Sequence, residues 1–355
     1  MTQTEVMDRA EGRPEREGGH RTQAVSGLIV SRTPLRVSFA GGGTDFREFY
    51  ERQEGAVLST AIDKYVYVTL KSHDSRFGPP IRLNYSETEH VDHVKDIRND
   101  IARACFQYLN VQPPIYMSTV ADFPASSGLG SSSAFCVGLL NALHASRGEH
   151  ASSAQLAEEA AEIEVDILGR PIGIQDHYAA AFGGFNLFRF GPGGAVSVEA
   201  QRFPSGARQE LFGHMMTFWT GIERQASHIL AEQRRNIAVR MPDLLALRSQ
   251  AWMLHDLLES AFDPEALGRA LHAGWERKRT LAAAISSPRL DRWYQAAISA
   301  GAWGGKICGA GGGGFFLFIV PPDRQQNVRQ ALPDLMEVRI GYEPHGSKIL
   351  ISHYE

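Results

Sequence analysis

The chain has 355 residues, 43% of them hydrophobic, with 36 Lys and Arg against 40 Asp and Glu for a formal net charge of −4. That is enough apolar material for a substantial core divided into about two domains, and the lack of a basic excess removes the electrostatic footprint of a nucleic-acid binder. Cys105, Cys136 and Cys308 are too scattered for a zinc site or a disulfide framework, the charged N-terminus lacks the apolar stretch of a secretory signal, and no run approaches the roughly 20 apolar residues of a membrane span, so a reducing, cytoplasmic setting is expected.

In chain order, residues 1–28 read as a disordered tail. Residues 27–39 and 56–70 are rich in β-branched and aromatic residues and read as strands. They flank the turn Gly41-Gly42-Gly43-Thr44-Asp45 and a short helical stretch over 46–53. Further strands are expected at 81–85 and 115–120, with a helix at about 96–109 between them. Residues 131–145 form a helix that is apolar over most of its surface and therefore buried. Another helix covers 153–168, and a shorter one containing Asp176 ends at Gly183-Gly184. Strands follow at 185–190, 196–202 and 214–219. The remainder is mostly helical, over 223–240, 243–261, 264–284 and 290–300, and closes with strands at 315–320, 337–341 and 348–352. The pattern implies an α+β protein with a boundary near 204–213.

Three glycine-marked segments carry the chemistry. The first in strength is Pro124-Ala125-Ser126-Ser127-Gly128-Leu129-Gly130-Ser131-Ser132-Ser133-Ala134, a Gly/Ser loop that runs straight into a helix. Glycines let backbone N–H groups approach a polyphosphate, a helix start offers free donors and a positive dipole end, and serine hydroxyls bind phosphate or Mg²⁺. A serine cap alone would explain one such residue; three serines after two glycines point to a nucleotide held by Ser127, Gly128, Leu129, Gly130, Ser131, Ser132 and Ser133. Neither GxxxxGK[ST] nor GxSxG occurs. The second segment, Gly309 to Gly314, formally contains GxGxxG, but it precedes a strand rather than a helix. It therefore reads as a tight turn with a close backbone crossing, compatible with packing on the phosphate loop. The third runs from Arg36, on a strand, to the glycine turn that ends in Asp45.

In this order and spacing the three segments resemble the motifs of the GHMP kinases, a resemblance that extends from about residue 29 to the C-terminus. It implies a ribosomal protein S5 domain 2-like N-terminal domain over 29–207 and a ferredoxin-like C-terminal domain over 208–355. It also implies ATP and Mg²⁺ as cofactors. Sugar kinases of the family carry Arg-x-x-x-x-Gly-Glu-His-Thr-Asp where this chain has Gly42 and Gly43 in place of two side chains. The form Phe39-Ala40-Gly41-Gly42-Gly43-Thr44-Asp45 is similar to the D-glycero-D-manno-heptose 7-phosphate 1-kinases. By that similarity Thr44 and Asp45 bind the sugar, Asp176 is the catalytic aspartate with Arg36 beside it, and Ser132 and Glu164 hold Mg²⁺. Glu162 and Asp166 are rivals to Glu164, because a helix with several carboxylates is usually a solvated acidic face.

The implied partners are ATP and a sugar phosphate, with no nucleic acid and no membrane; a homodimer stays open. An acceptor that already carries a phosphate requires a second cationic pocket. Arg224, at a strand-to-helix corner, is the leading candidate, with Arg189 and Lys64 behind it. An octose 8-phosphate, a free hexose such as fucose or galactose, and a catalytically degenerate regulator are the alternatives.

Overall fold

The structure is a computed structural model that describes residues 27–74, 76, 78–223, 226–260 and 262–354. Twelve strands form two sheets among the described residues. The first has eight strands: β1 (Gly27–Ala40), β2 (Gly55–Lys71), β3 (Ile81–Asn84), β4 (Thr88–Val91), β5 (Ile115–Ala121), β6 (Phe185–Phe190), β7 (Val196–Ala200) and β12 (Lys348–Tyr354). Its order is β12-β1-β2-β5-β3-β4, with β6 and β7 continuing from the other half of the long β2. Only β3 and β5 pair in parallel. The second sheet runs β11-β8-β10-β9, from β8 (Met215–Trp219), β9 (Gly304–Ile307), β10 (Phe315–Ile319) and β11 (Met336–Glu337).

The helices are α1 (Arg47–Tyr50), α2 (Asp100–Tyr108), α3 (Ser131–Ser146), α4 (Ser153–Ala161), α5 (Gln175–Phe182), α6 (Ala207–His214), α7 (Ala226–Asn236), α8 (Met241–Ser260), α9 (Pro264–Lys278), α10 (Pro288–Ser299) and α11 (Gln325–Ala331). Helix α3 is buried as its composition predicts, and it reaches β1 through a glycine. A Cβ at Gly138 would stand 2.6 Å from Thr33 Oγ1, while Ser31 Oγ donates to the Gly138 carbonyl at 2.7 Å. This close crossing brings the loop before α3 to the part of β1 that carries Arg36. Helix α8 ties the two cores together, with Leu244 and Leu247 in the core of the second sheet and Ala251, Leu254 and Leu258 in that of the first. Among the described residues, no helix is long and apolar enough to cross a membrane.

Several expectations change. The segment 348–354, grouped by sequence with the C-terminal domain, returns to the first sheet and pairs antiparallel with β1 from Gly27↔Tyr354 to Arg32↔Lys348. It covers an edge of β1 that would otherwise present unpaired backbone groups. The strand β1 opens at Gly27, where the strand reading put it, so the range 1–28 given to the tail is two residues too long at its end. The region 204–213, read as the domain boundary, contains most of α6, and the short elements β4, β9 and α11 carry too little periodicity to be read from sequence. The helix read over 153–168 is regular only to Ala161; Glu162–Ile167 widens into a π-turn. Such turns insert a residue into the helical repeat and cluster at functional sites.

Candidate active site

The three glycine segments meet. The backbone N–H of Arg36 donates to the Leu129 carbonyl at 3.0 Å, which lays the phosphate loop alongside β1. Gly128 and Gly130 adopt φ of 85° and 81°, left-handed conformations that an L-residue with a side chain resists, and Gly130 caps α3. The second cluster packs on this loop: a Cβ at Gly309 would stand 2.6 Å from the Gly128 carbonyl oxygen, and one at Gly314 2.3 Å from that of Ser127. The end of β8 clips on from the other direction, with Thr220 N–H and Oγ1 both donating to the Gly314 carbonyl. Ser127 is fully buried and its hydroxyl has no hydrogen-bond partner among the described residues. Leu129 is likewise buried and anchors the loop in the core. A backbone cradle with left-handed glycines, a helix start and an orphaned hydroxyl is the donor set that a polyphosphate uses.

Arg36 is 4% exposed and holds two groups through three bonds. Its Nε and Nη2 donate to the two oxygens of Asp176 at 2.7 and 2.6 Å, and its Nη1 donates to the Gly128 carbonyl at 2.8 Å. The fork geometry of guanidinium suits this two-point grip on a carboxylate. Asp176, in the first turn of α5, keeps 24% of its side chain exposed, so the carboxylate is both fixed and reachable.

Under the loop, the π-turn directs Glu164 inward. Its Oε1 accepts from Ser132 Oγ at 2.6 Å and from Arg170 Nη1 at 2.6 Å; its Oε2 accepts from Ser133 Oγ at 2.8 Å and lies 2.9 Å from His177 Nε2. Burial pushes this carboxyl upward, but His177, Arg170 and Ser132 outweigh it and bring it down to about 2. Arg170 is itself held by Asp100 through two bonds of 2.8 and 2.9 Å. The two rivals lie elsewhere: Glu162 accepts from the exposed Tyr108 hydroxyl, and Asp166 pairs at the surface with Arg47. Sequence singled out neither Arg170 nor His177, although both fall within the Glu164-to-Asp176 segment. Only the partner that each faces reveals it.

The glycine turn is arranged differently. Thr44 is fully buried, and its hydroxyl staples the turn to β2: it lies 2.8 Å from the Gly41 carbonyl and accepts from Ala56 N–H at 3.0 Å. Asp45 is 2% exposed, with one oxygen accepting from Gly43 N–H at 2.9 Å and the other from Gln175 N–H at 3.2 Å. Burial raises its carboxyl above the usual range, and the nearby charge of Asp176 adds to that. In this conformation Thr44 and Asp45 brace the turn and do not face solvent, which differs from the expected direct contact with sugar hydroxyls. Arg224 lies outside the described residues. Arg189 pairs with Glu54 at the surface and Lys64 with its neighbour Asp63.

Known proteins resemble this chain in sequence and in fold. Residues 94–184 match the GHMP kinases N terminal domain and residues 253–338 the GHMP kinases C terminal family. The chain is 33% identical over 319 residues to D-glycero-alpha-D-manno-heptose 7-phosphate kinase of Campylobacter jejuni, covering 86% of this chain and 93% of the relative. A crystal structure of a D-glycero-D-manno-heptose 1-phosphate kinase from Bacteroides thetaiotaomicron superposes with a TM-score of 0.75 at 25% identity, covering 91% of this chain and 99% of that one. A crystal structure of a sugar kinase from Campylobacter jejuni, titled putative, gives 0.70 at 27% identity, over 92% and 99%. With both of its domains matched and a relative this similar along most of its length, the chain belongs to the GHMP kinase family.

Proposed function

We propose that this ATP-dependent sugar kinase transfers the γ-phosphoryl group of ATP to the anomeric hydroxyl of D-glycero-D-manno-heptose 7-phosphate, giving the 1,7-bisphosphate and ADP. The observation that carries the reading is the Asp176–Arg36 pair, fixed by two bonds at 2.7 and 2.6 Å and joined to the phosphate loop through Gly128. Phosphoryl transfer asks the protein to align acceptor and donor and to neutralise charge, more than to supply a nucleophile. Asp176 takes the proton of the anomeric hydroxyl as its oxygen bonds to the γ-phosphorus and the bond to ADP breaks. Arg36 orients Asp176 and offers positive charge beside the loop. Ser127, Gly128, Leu129, Gly130, Ser131 and Ser133 cradle the nucleotide phosphates, and Thr44 and Asp45 shape the acceptor turn.

Ser132 and Glu164 suit a hard divalent cation. Their oxygens lie 2.6 Å apart, and the Arg170 guanidinium, which bonds to both, stands where a cation would sit and would have to yield to it. One carboxylate, one hydroxyl and the nucleotide phosphates match the way Mg²⁺ is ordinarily held, with waters completing its shell. Among the described residues, no cluster of three His, Cys, Asp or Glu groups offers a fuller protein cage. Bound Mg²⁺ would neutralise charge on the phosphates.

The test is ADP release across a panel of heptose 7-phosphate, octose 8-phosphate, galactose and fucose at fixed ATP and Mg²⁺. The heptose phosphate should give the highest kcat/KM. A higher value for a free hexose would overturn the substrate assignment.

A further inference from the structure

The three glycines of the turn are not equivalent. Gly41 has φ of 88°, and a Cβ there would stand 1.8 Å from the Ala56 carbonyl oxygen; Gly43 has φ of 102°, and its Cβ would stand 2.3 Å from Gln233 Nε2. Both are buried, and backbone geometry and packing each demand glycine. Gly42 is half-buried, lies outside the left-handed region, and would bring a Cβ only to ordinary contact, 3.7 Å from Gln175 Nε2 and 3.7 Å from Lys278 Nζ. Neither strain nor crowding therefore requires a glycine at position 42. What a side chain there would take up is the room between an ammonium group and a carboxamide, next to the residue that precedes Asp176.

The charge of this room is positive. Lys278 ends α9 and donates to the Gly309 carbonyl at 2.5 Å. Lys306, on β9, donates to the Ser38 carbonyl at 2.7 Å, just ahead of the turn. Burial, reinforced by Lys278 and Arg36, pushes its ammonium down to about 7, so the three cations act on one another. Of the two carboxylates beside the turn, Asp176 grips Arg36 and Asp45 is closed in the turn itself. The carboxamide of Gln175 turns its Nε2, a donor, toward Gly42, 3.7 Å from the position of a Cβ there, beside the bond it makes to Asp45. A cationic recess bordered by a carboxamide and left open by a glycine that nothing else explains is suited to an anion carried by the acceptor.

We infer that the space over Gly42 receives the phosphate that the sugar already carries, with Lys278 as its cationic ligand and the Gln175 amide as a further donor. This rests on the sugar-phosphate reading of the site. It gives the substrate phosphate a ligand other than Arg36, which is bound to Asp176. A lysine supplies a compact point charge that can follow a mobile exocyclic group. The competing role for Lys278 is at the transferring phosphoryl group, since Gly309 packs against Gly128 of the phosphate loop.

The experiment measures kcat/KM for heptose 7-phosphate and for unphosphorylated heptose in the wild type, Lys278→Met and Gly42→Ala, with thermal melting of each full chain. The wild type should prefer the phosphorylated sugar. Lys278→Met should cut kcat/KM for heptose 7-phosphate by about 10- to 100-fold, the loss expected for a hydrogen bond to a charged group, chiefly through KM. The free heptose and the KM for ATP should change little. Gly42→Ala, which meets no clash, should raise KM for heptose 7-phosphate selectively. A wild type that does not distinguish the two sugars overturns the sugar-phosphate reading itself. If the wild type discriminates and Lys278→Met keeps the same ratio, that reading stands and this inference falls. An equal loss of kcat on both sugars also defeats it, by moving Lys278 to the transferring group. Should Lys278→Met not fold, Gly42→Asp decides: a carboxylate beside Lys278 should abolish the preference, and retained preference overturns the proposal.

Discussion

Glu164, beneath the phosphate loop, and Asp45, in the glycine turn, are buried almost equally, at 0% and 2% exposure, yet their carboxyls are shifted in opposite directions. Burial pushes both carboxyls upward. At Glu164 two serine hydroxyls, Arg170 and His177 reverse that push and hold the group ionised, down at about 2. At Asp45 two backbone N–H groups and the Gln175 side chain answer it without a cation, the Asp176 charge works against them, and the carboxyl stays raised. Depth does not decide which way a buried acid is shifted; the donors and cations facing it do. One region therefore holds a charge beneath the Gly/Ser loop, and the other holds the backbone shape of the glycine turn.

Asp176 sets the scale for chemistry against which both buried acids can be judged. Asp176→Asn should lower kcat by about 10²- to 10⁴-fold while folding and ADP binding persist, because the shape survives and the proton acceptor does not. Steady-state kinetics with ADP calorimetry checks this, and near-native kcat would remove Asp176 from the reaction.

The comparison itself is tested by two amide variants. Glu164→Gln leaves Arg170 and His177 facing a neutral group, and should cost about 3–5 kcal/mol, as removal of one partner of a buried pair does. Asp45→Asn keeps one acceptor and sets one donor against a backbone N–H, at a cost of about 1–3 kcal/mol. Denaturant unfolding that shows equal losses would break the distinction.

The two acids should also differ in pH dependence. The Glu164 carboxyl is depressed from 4.5 to about 2, so its stabilisation is complete above pH 4.5 and is lost as pH falls through that window, about 3 kcal/mol in all. Asp45 is raised from 3.8, so the folded state holds its proton longer than the unfolded chain does, and its term weakens stability as pH rises above that value. The two oppose each other. Asp45→Asn should therefore steepen the gain in stability from pH 3 to 5, and Glu164→Gln should flatten it, read by unfolding at each pH.

Smaller effects sharpen the picture. Ser133→Ala removes one of the donors to Glu164 and should cost about 1.5–3 kcal/mol in the same unfolding measurement. Asp166→Asn breaks only an ion pair with Arg47 whose side chains are 50% and 43% exposed, so it should change stability by less than about 1 kcal/mol and leave kcat unchanged. A large loss of Mg²⁺-dependent activity in this variant would return Asp166 to the metal site.

Much of the site was legible because its marks are local. Left-handed glycines, a serine run at a helix start and an arginine on an apolar strand are consequences of backbone conformation and short-range chemistry, and they survive without knowledge of the fold. Gly309 to Gly314 could likewise be denied a dinucleotide role because the strand that follows it is visible in Phe315 to Val320. What stayed hidden depends on what stands opposite. A regular helical repeat leaves Glu162, Glu164 and Asp166 alike; the π-turn turns Glu164 toward Ser132, and leaves the others to Tyr108 and Arg47. Arg170 and His177 show their partners only in three dimensions, and Lys278 reaches Gly42 from more than two hundred positions along the chain. The pattern of β12 reports a strand but not that it closes the edge of β1, because alternation shows which side of a strand is apolar and never which neighbour it pairs with.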